Sequence, residues 1–202
     1  MPELLLLVQP MLDTARWRRV PRWLLEELGM GLESSIPSVR QVILPEMPAP
    51  RRAFDPSRGQ YAANEVLSVL KERTGSLADS SLVSPDVLYH PRAKVIALVP
   101  ADGYVRGMNF IFGLAEVGGR FGLVFLSRLS GSRPLFSERT LKEVLHELGH
   151  LMGLDHCPNP RCVMSFSNTL ADTDAKEAAF CGECLSKISS WLRALPPVPR
   201  LP

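Results

Sequence analysis

Apolar positions along the chain fall into short runs and helical stripes separated by polar, proline-containing stretches. Leu4 to Val8 is an unbroken apolar run of strand length, which predicts a buried first strand. From Thr14 to Met30, Trp17, Val20, Leu24, Leu25 and Leu28 recur at helical spacing across Pro21, so this helix either starts near Pro21 or kinks there. Val39 to Leu44 predicts a second strand, followed by an exposed loop marked by Pro45, Pro48 and Pro50. Ser57 to Glu72 predicts a helix with Tyr61, Val66, Leu67 and Leu70 on its apolar side.

Lys94 to Pro100 is nearly all apolar and predicts a central strand covered on both faces. Asn109 to Glu116 and Phe121 to Arg128 read as two strands of a hairpin turning at Val117-Gly118-Gly119-Arg120, one of them an exposed edge. Leu141 to Leu151 is rich in helix formers, with Ser137 as a capping oxygen and Gly153 as the stop. Cys157 to Thr169 predicts a loop, and Asp172 to Leu195 a C-terminal helix ended by Pro196 and Pro197, with a disordered tail over 197–202.

Composition narrows the function more than the fold. The 202 residues suffice for one well-packed domain, and 46% hydrophobic with 22% charged residues is ordinary for a globular chain. No apolar run reaches bilayer length, which argues against a membrane protein. The first apolar run is too short for a signal peptide, follows Glu3, and lacks a small-residue cleavage site, so a cytoplasmic location is expected. With 23 basic and 21 acidic residues, the net charge of +2 gives no footprint for nucleic acid. The arginines at Arg16, Arg18, Arg19 and Arg22 read as a solvated helix face, and a monomer is expected.

Chemistry concentrates in the last third of the chain. In HELGHLMGLDH, His146 and His150 are four residues apart on a helix, so both imidazoles project from one face and can meet one metal ion. Glu147 is turned by about 100° from His146 and flanks the ion as a general base. Gly153 tolerates the positive φ that lets the chain leave the helix and return His156 as a third ligand. Three histidines leave one tetrahedral position open, the arrangement of a catalytic zinc. His90, the remaining histidine, is expected at the surface or in a cap. All four cysteines, Cys157, Cys162, Cys181 and Cys184, follow closely, and without an export signal metal ligation is favoured over disulfides.

The pattern HExxHxxGxxH with a downstream methionine, Met164, is the signature of the metzincins. With Cys157 directly after His156, then Cys162, Met164, Cys181 and Cys184, the chain resembles the archaemetzincins over about residues 109 to 190. That resemblance implies an α+β, metzincin-like zincin fold: a twisted mixed sheet with an antiparallel edge hairpin, an active-site helix, a methionine turn beneath the ligands and a C-terminal helix. It implies two zinc ions per chain, a catalytic one on His146, His150 and His156 and a structural one on the four cysteines. Residues 1–196 would then form one metallopeptidase domain, with subdomains 1–153 and 154–196.

The implied activity is hydrolysis of a peptide substrate, of aminopeptidase-like or short-peptide type, by water that Glu147 deprotonates. By analogy with metzincins, the hairpin strand Gly122 to Arg128 is expected to lie above the cleft and pair with an extended peptide, with Val124 and Leu126 facing it. No tyrosine follows Met164, so no oxyanion-stabilising residue is assigned. A zinc-binding interaction module and a zinc amidohydrolase are the competing readings.

Overall fold

The computed structural model describes residues 4–36, 38–77 and 85–196. In chain order the elements are β1 (Leu4–Leu12), α1 (Arg22–Ser35), β2 (Val39–Ile43), β3 (Met47–Pro48), β4 (Phe54–Asp55), β5 (Gln60–Ala62), α2 (Ala63–Leu77) and α3 (Pro85–Leu88). They continue with β6 (Ala93–Val99), β7 (Gly103–Tyr104), β8 (Gly113–Ala115), β9 (Phe121–Phe125), α4 (Arg133–Leu151), α5 (Leu170–Ala175) and α6 (Gly182–Ala194).

The fully apolar strands β1 and β6 pair in parallel in the middle of the main sheet, whose order is β2-β1-β6-β9-β8. Covering both faces is what lets such strands dispense with alternation. Leu4, Leu6, Val8, Ile96, Leu98 and Val124 point to one core, with α1, α4 and α6; Leu5, Leu7, Val95, Ala97, Leu123 and Phe125 point to the other, with α2. Each fully buried leucine contributes about 2 kcal/mol of transfer free energy. β2, β1, β6 and β9 run parallel, and only β8 is antiparallel, against β9. A second sheet, β4-β5-β7, lies apart from this path. Among the described residues, no helix is long and apolar enough to cross a membrane.

The expected α+β fold, with its central strand over 94–100, its antiparallel edge hairpin and its zinc helix, is present. Several of the finer expectations need correction. The first helix takes the first of its two expected forms and starts at Arg22, but before it Trp17 sits in a turn at φ 55° and is exposed, and of the four arginines expected on a helix face only Arg22 lies on the helix. Residues 57–62 do not begin a helix. Asp55 Oδ1 accepts the N–H groups of Ser57 and Arg58 to form a turn, and Tyr61 lies in β5 with its hydroxyl donating to buried Asp13 at 2.8 Å.

The zinc helix begins at Arg133, one turn before Ser137, whose hydroxyl donates to Glu27 instead of capping. The C-terminal helix is split into α5 and α6. Residues 176–181 leave helical geometry between them and bring Cys181 to the N-cap of α6. His90 is buried, its Nδ1 accepting the Arg92 N–H at 3.2 Å. The expected tail over 197–202 lies outside the described residues.

The hairpin also assigns the sheet edge. β9 is flanked on both sides, by β6 and β8, so its backbone is committed and Val124 and Leu126 are buried in the core. They cannot face a peptide. β8 is the edge on this side of the sheet, with β2 at the other, and its pairing leaves the backbone of Gly113 and Ala115 outward: Phe112 accepts from Phe125 N–H and Glu116 N–H donates to Phe121, so the alternate residues point away from β9.

Candidate active site

α4 runs beneath β8 and presents Glu143, His146, Glu147 and His150 along one stripe, the spacing that places residues three and four apart on the same face. These side chains line a cleft of about 480 Å³ together with Phe112, Gly113, His156, Phe166, Ser167 and Lys176. Gly153 adopts φ 86°, its N–H bonds the His150 carbonyl at 2.9 Å, and the chain turns back to bring His156 beside the other two rings. The nitrogen atoms of the three histidines lie within 4.8 Å of one another.

Second bonds fix how these rings face. His146 Nδ1 lies 2.8 Å from the Val163 carbonyl and His150 Nδ1 lies 2.7 Å from the Leu154 carbonyl. A carbonyl only accepts, so both protons sit on Nδ1 and both Nε2 atoms carry lone pairs. These two Nε2 atoms face each other at 3.1 Å. Two lone pairs held that close repel unless a cation lies between them, and a tetrahedral zinc with N bonds near 2.0 Å would set them roughly 3.3 Å apart. The donor set therefore fits zinc.

Burial and the positive charge of Lys176 push His146 down to about 3, and burial also lowers His150 and His156, so all three rings are neutral and ready to ligate at neutral pH. Burial, then repulsion from Glu143, pushes Glu147 well above the usual carboxylate range, with Lys176 opposing. A cation at the histidines would pull it back toward the carboxylate form.

Met164 is fully buried against α4. Gly149 makes room for it, since a Cβ there would come within 2.2 Å of the Met164 sulfur. The same loop supplies the Val163 carbonyl to His146 and the Met164 carbonyl to the Cys157 N–H at 2.9 Å.

The four cysteine sulfurs lie within 4.8 Å of one another, with Cys157 to Cys181 and Cys162 to Cys184 both at 3.8 Å. That spacing is far beyond a disulfide bond and matches the roughly 3.8 Å between thiolates around a tetrahedral zinc with 2.3 Å bonds. The Cys184 backbone N–H at the start of α6 pulls Cys181 down to about 7, toward the thiolate. Cys162 and Cys184 are buried, and none of the four cysteines lines the cleft.

Sequence reasoning missed Glu143, Lys176, Ser167 and Gly113. Glu143 carried a signal, lying three residues before His146 on the ligand stripe. Lys176 and Ser167 arrive through tertiary folding alone. Gly113 is required by contact: a Cβ there would meet Glu147 Oε1 at 2.3 Å, so only glycine lets β8 pass beside that carboxylate.

A mixed sheet with an antiparallel edge strand above an HExxH helix, closed by a third histidine, defines a zincin-like metallopeptidase. Residues 24–190 match Peptidase family M54. The archaemetzincin of Pyrococcus horikoshii is 44% identical over 147 residues, spanning 69% of this chain and 71% of that protein. Two solved archaemetzincins share the fold. That of Methanopyrus kandleri has a TM-score of 0.74 at 30% identity, covering 95% of this chain and 96% of the other. That of Archaeoglobus fulgidus has a TM-score of 0.71 at 31% identity, covering 91% and 99%. The chain belongs to the archaemetzincin family, peptidase family M54, and is a zinc metallopeptidase.

Proposed function

We propose that the chain hydrolyses peptide bonds in the cleft beneath β8, with His146, His150 and His156 holding a catalytic zinc and Glu147 as the general base. Cys157, Cys162, Cys181 and Cys184 hold a second, structural zinc. The observation that carries this reading is the pair of Nε2 atoms facing each other at 3.1 Å while the Nδ1 of each ring is held by a carbonyl on its far side. The methionine turn built by Met164 supports assignment to the metzincins, and four unpaired thiols suit a reducing, cytoplasmic setting.

A zinc ion at the histidines supplies Lewis acidity, acidifying a water and polarising the scissile carbonyl. The remaining work falls to the chain. An extended peptide lies antiparallel to β8 and pairs with the outward backbone groups of Gly113 and Ala115. That pairing sets the scissile bond beside Glu147, which packs against Gly113. Glu147 takes the proton of the attacking water and passes it to the departing amine, so one water is consumed and a carboxylate and an amine are released. Residues 1–153 then supply the sheet and zinc helix, and 154–196 supply the floor.

Metal analysis should give two zinc ions per chain. Short peptides, N-blocked peptides and simple amides are then tested with and without a chelator. Chelator-sensitive cleavage of peptides, lost in Glu147→Ala with zinc retained, is expected. Cleavage that persists in Glu147→Ala, or cleavage of simple amides alone, overturns the reading.

A further inference from the structure

The cleft contains a buried cation that the hydrolysis above does not use. Lys176 follows directly after α5, and that short helix is clamped to α4. Arg139 donates to both carboxylate oxygens of Asp174 at 2.7 Å, Lys142 donates to the Asp174 carbonyl at 3.3 Å, and Thr173 donates to Glu143 Oε1 at 3.0 Å. Thr169 and Asp172 close its first turn as a capping box. The result is a lysine ammonium delivered into the wall of the cleft, with its side chain only 1% exposed.

Its partners do not exhaust it. Lys176 Nζ lies 3.3 Å from Glu143 Oε1 and 3.4 Å from the Ser165 carbonyl, both long contacts. An ammonium carries three protons, and the described residues offer Lys176 Nζ these two acceptors. Ser167, two residues beyond Ser165, lines the same cleft with a buried hydroxyl that has no hydrogen-bond partner among the described residues. Unsatisfied donors in a buried wall cost free energy unless a ligand completes them. A carboxylate fits: it offers about four lone-pair sites and one negative charge. Glu143 already balances part of the lysine charge, which favours a monoanion.

Building on the peptidase reading, we propose that Lys176 and Ser167 recognise a carboxylate of the substrate on the His156–Phe166 side of the scissile bond. The enzyme thereby selects peptides that place there either a C-terminal carboxylate, as short peptides do, or an Asp or Glu side chain. Lys176 acts as a specificity residue, separate from the proton transfers of Glu147.

The test measures binding without turnover, in zinc-loaded Glu147→Gln protein, by calorimetry. The probes are tripeptides as free acids against their C-terminal amides, and amidated peptides with Asp or Glu against Asn or Gln. One carboxylate source should bind about tenfold tighter than its neutral twin, as a charge-assisted hydrogen bond provides. The preference should vanish with Lys176→Met, persist with Lys176→Arg, and shrink about threefold with Ser167→Ala. Zinc content and thermal unfolding report folding. Should Lys176→Met fail to fold, Glu143→Gln combined with Lys176→Met removes both charges and serves instead.

Equal binding of acids and neutral twins, or a preference that survives loss of Lys176, overturns the proposal while leaving the peptidase reading intact. No binding of any peptide overturns both.

Discussion

The histidine and cysteine clusters stand side by side in sequence, joined at His156 and Cys157, yet they are built to opposite ends. The imidazoles line a solvent-connected cleft of about 480 Å³, beside a carboxylate and under an open sheet edge. The sulfurs turn inward on one another, two of them fully in the core, and leave no face for a substrate. Three ligands facing a cavity suit a metal that must still accept a reactant, and four ligands facing each other suit a metal that must only hold. One loop, residues 157–165, serves both. It carries Cys157 and Cys162, and it also supplies the Val163 carbonyl that orients His146 and the Met164 side chain beneath Gly149.

This contrast can be broken by experiment. Cys184→Ser should have the largest effect, releasing one zinc of two and lowering stability by more than about 4 kcal/mol in urea unfolding. A stable, fully active variant would show that the cysteine cluster holds nothing together. Next, Glu147→Ala should cut kcat by roughly 10² to 10⁴ with both zinc ions retained, which separates chemistry from metal binding. Gly113→Ala comes third. Its new Cβ must displace the Glu147 carboxylate, so kcat should fall about 100-fold while zinc content and unfolding change little, and unchanged kinetics would contradict the contact.

The smallest effect is expected from Ala115→Pro. It removes an outward N–H from β8 without touching the ladder to β9, and KM should rise about three- to tenfold with kcat nearly constant. A KM equal to wild type would remove β8 from substrate binding.

The zinc helix was legible in the sequence because its logic is local. His146, Glu147, His150 and the Gly153 turn lie within eight residues and obey the helical period. The apolar strands β1 and β6 were legible for the same reason. What failed depended on partners distant in sequence. Trp17 and Tyr61 matched helical stripes, but the turn around Asp13 and its bond to Tyr61 override that periodicity. Residues 172–195 have the composition of one helix and form two, because Cys181 must reach Cys157. Val124 and Leu126 looked like edge positions only until β6 was known to flank β9. Lys176 gave no local sign, since only the docking of α5 onto α4 brings it to the cleft.

The three-residue length of β8 carries a consequence for self-association. If substrates pair with β8 as proposed, that sheet edge must stay bare, and bare edges also invite other copies of the same sheet. Only Gly113 and Ala115 turn their backbone outward here, directly above α4 and bounded by the turn at Gly118, whose N–H is tied to the His150 carbonyl at 2.8 Å. On the proposed reading, so short a ledge would give register to a peptide held mainly by the cleft below, and it offers an unrelated strand only two residues to pair with.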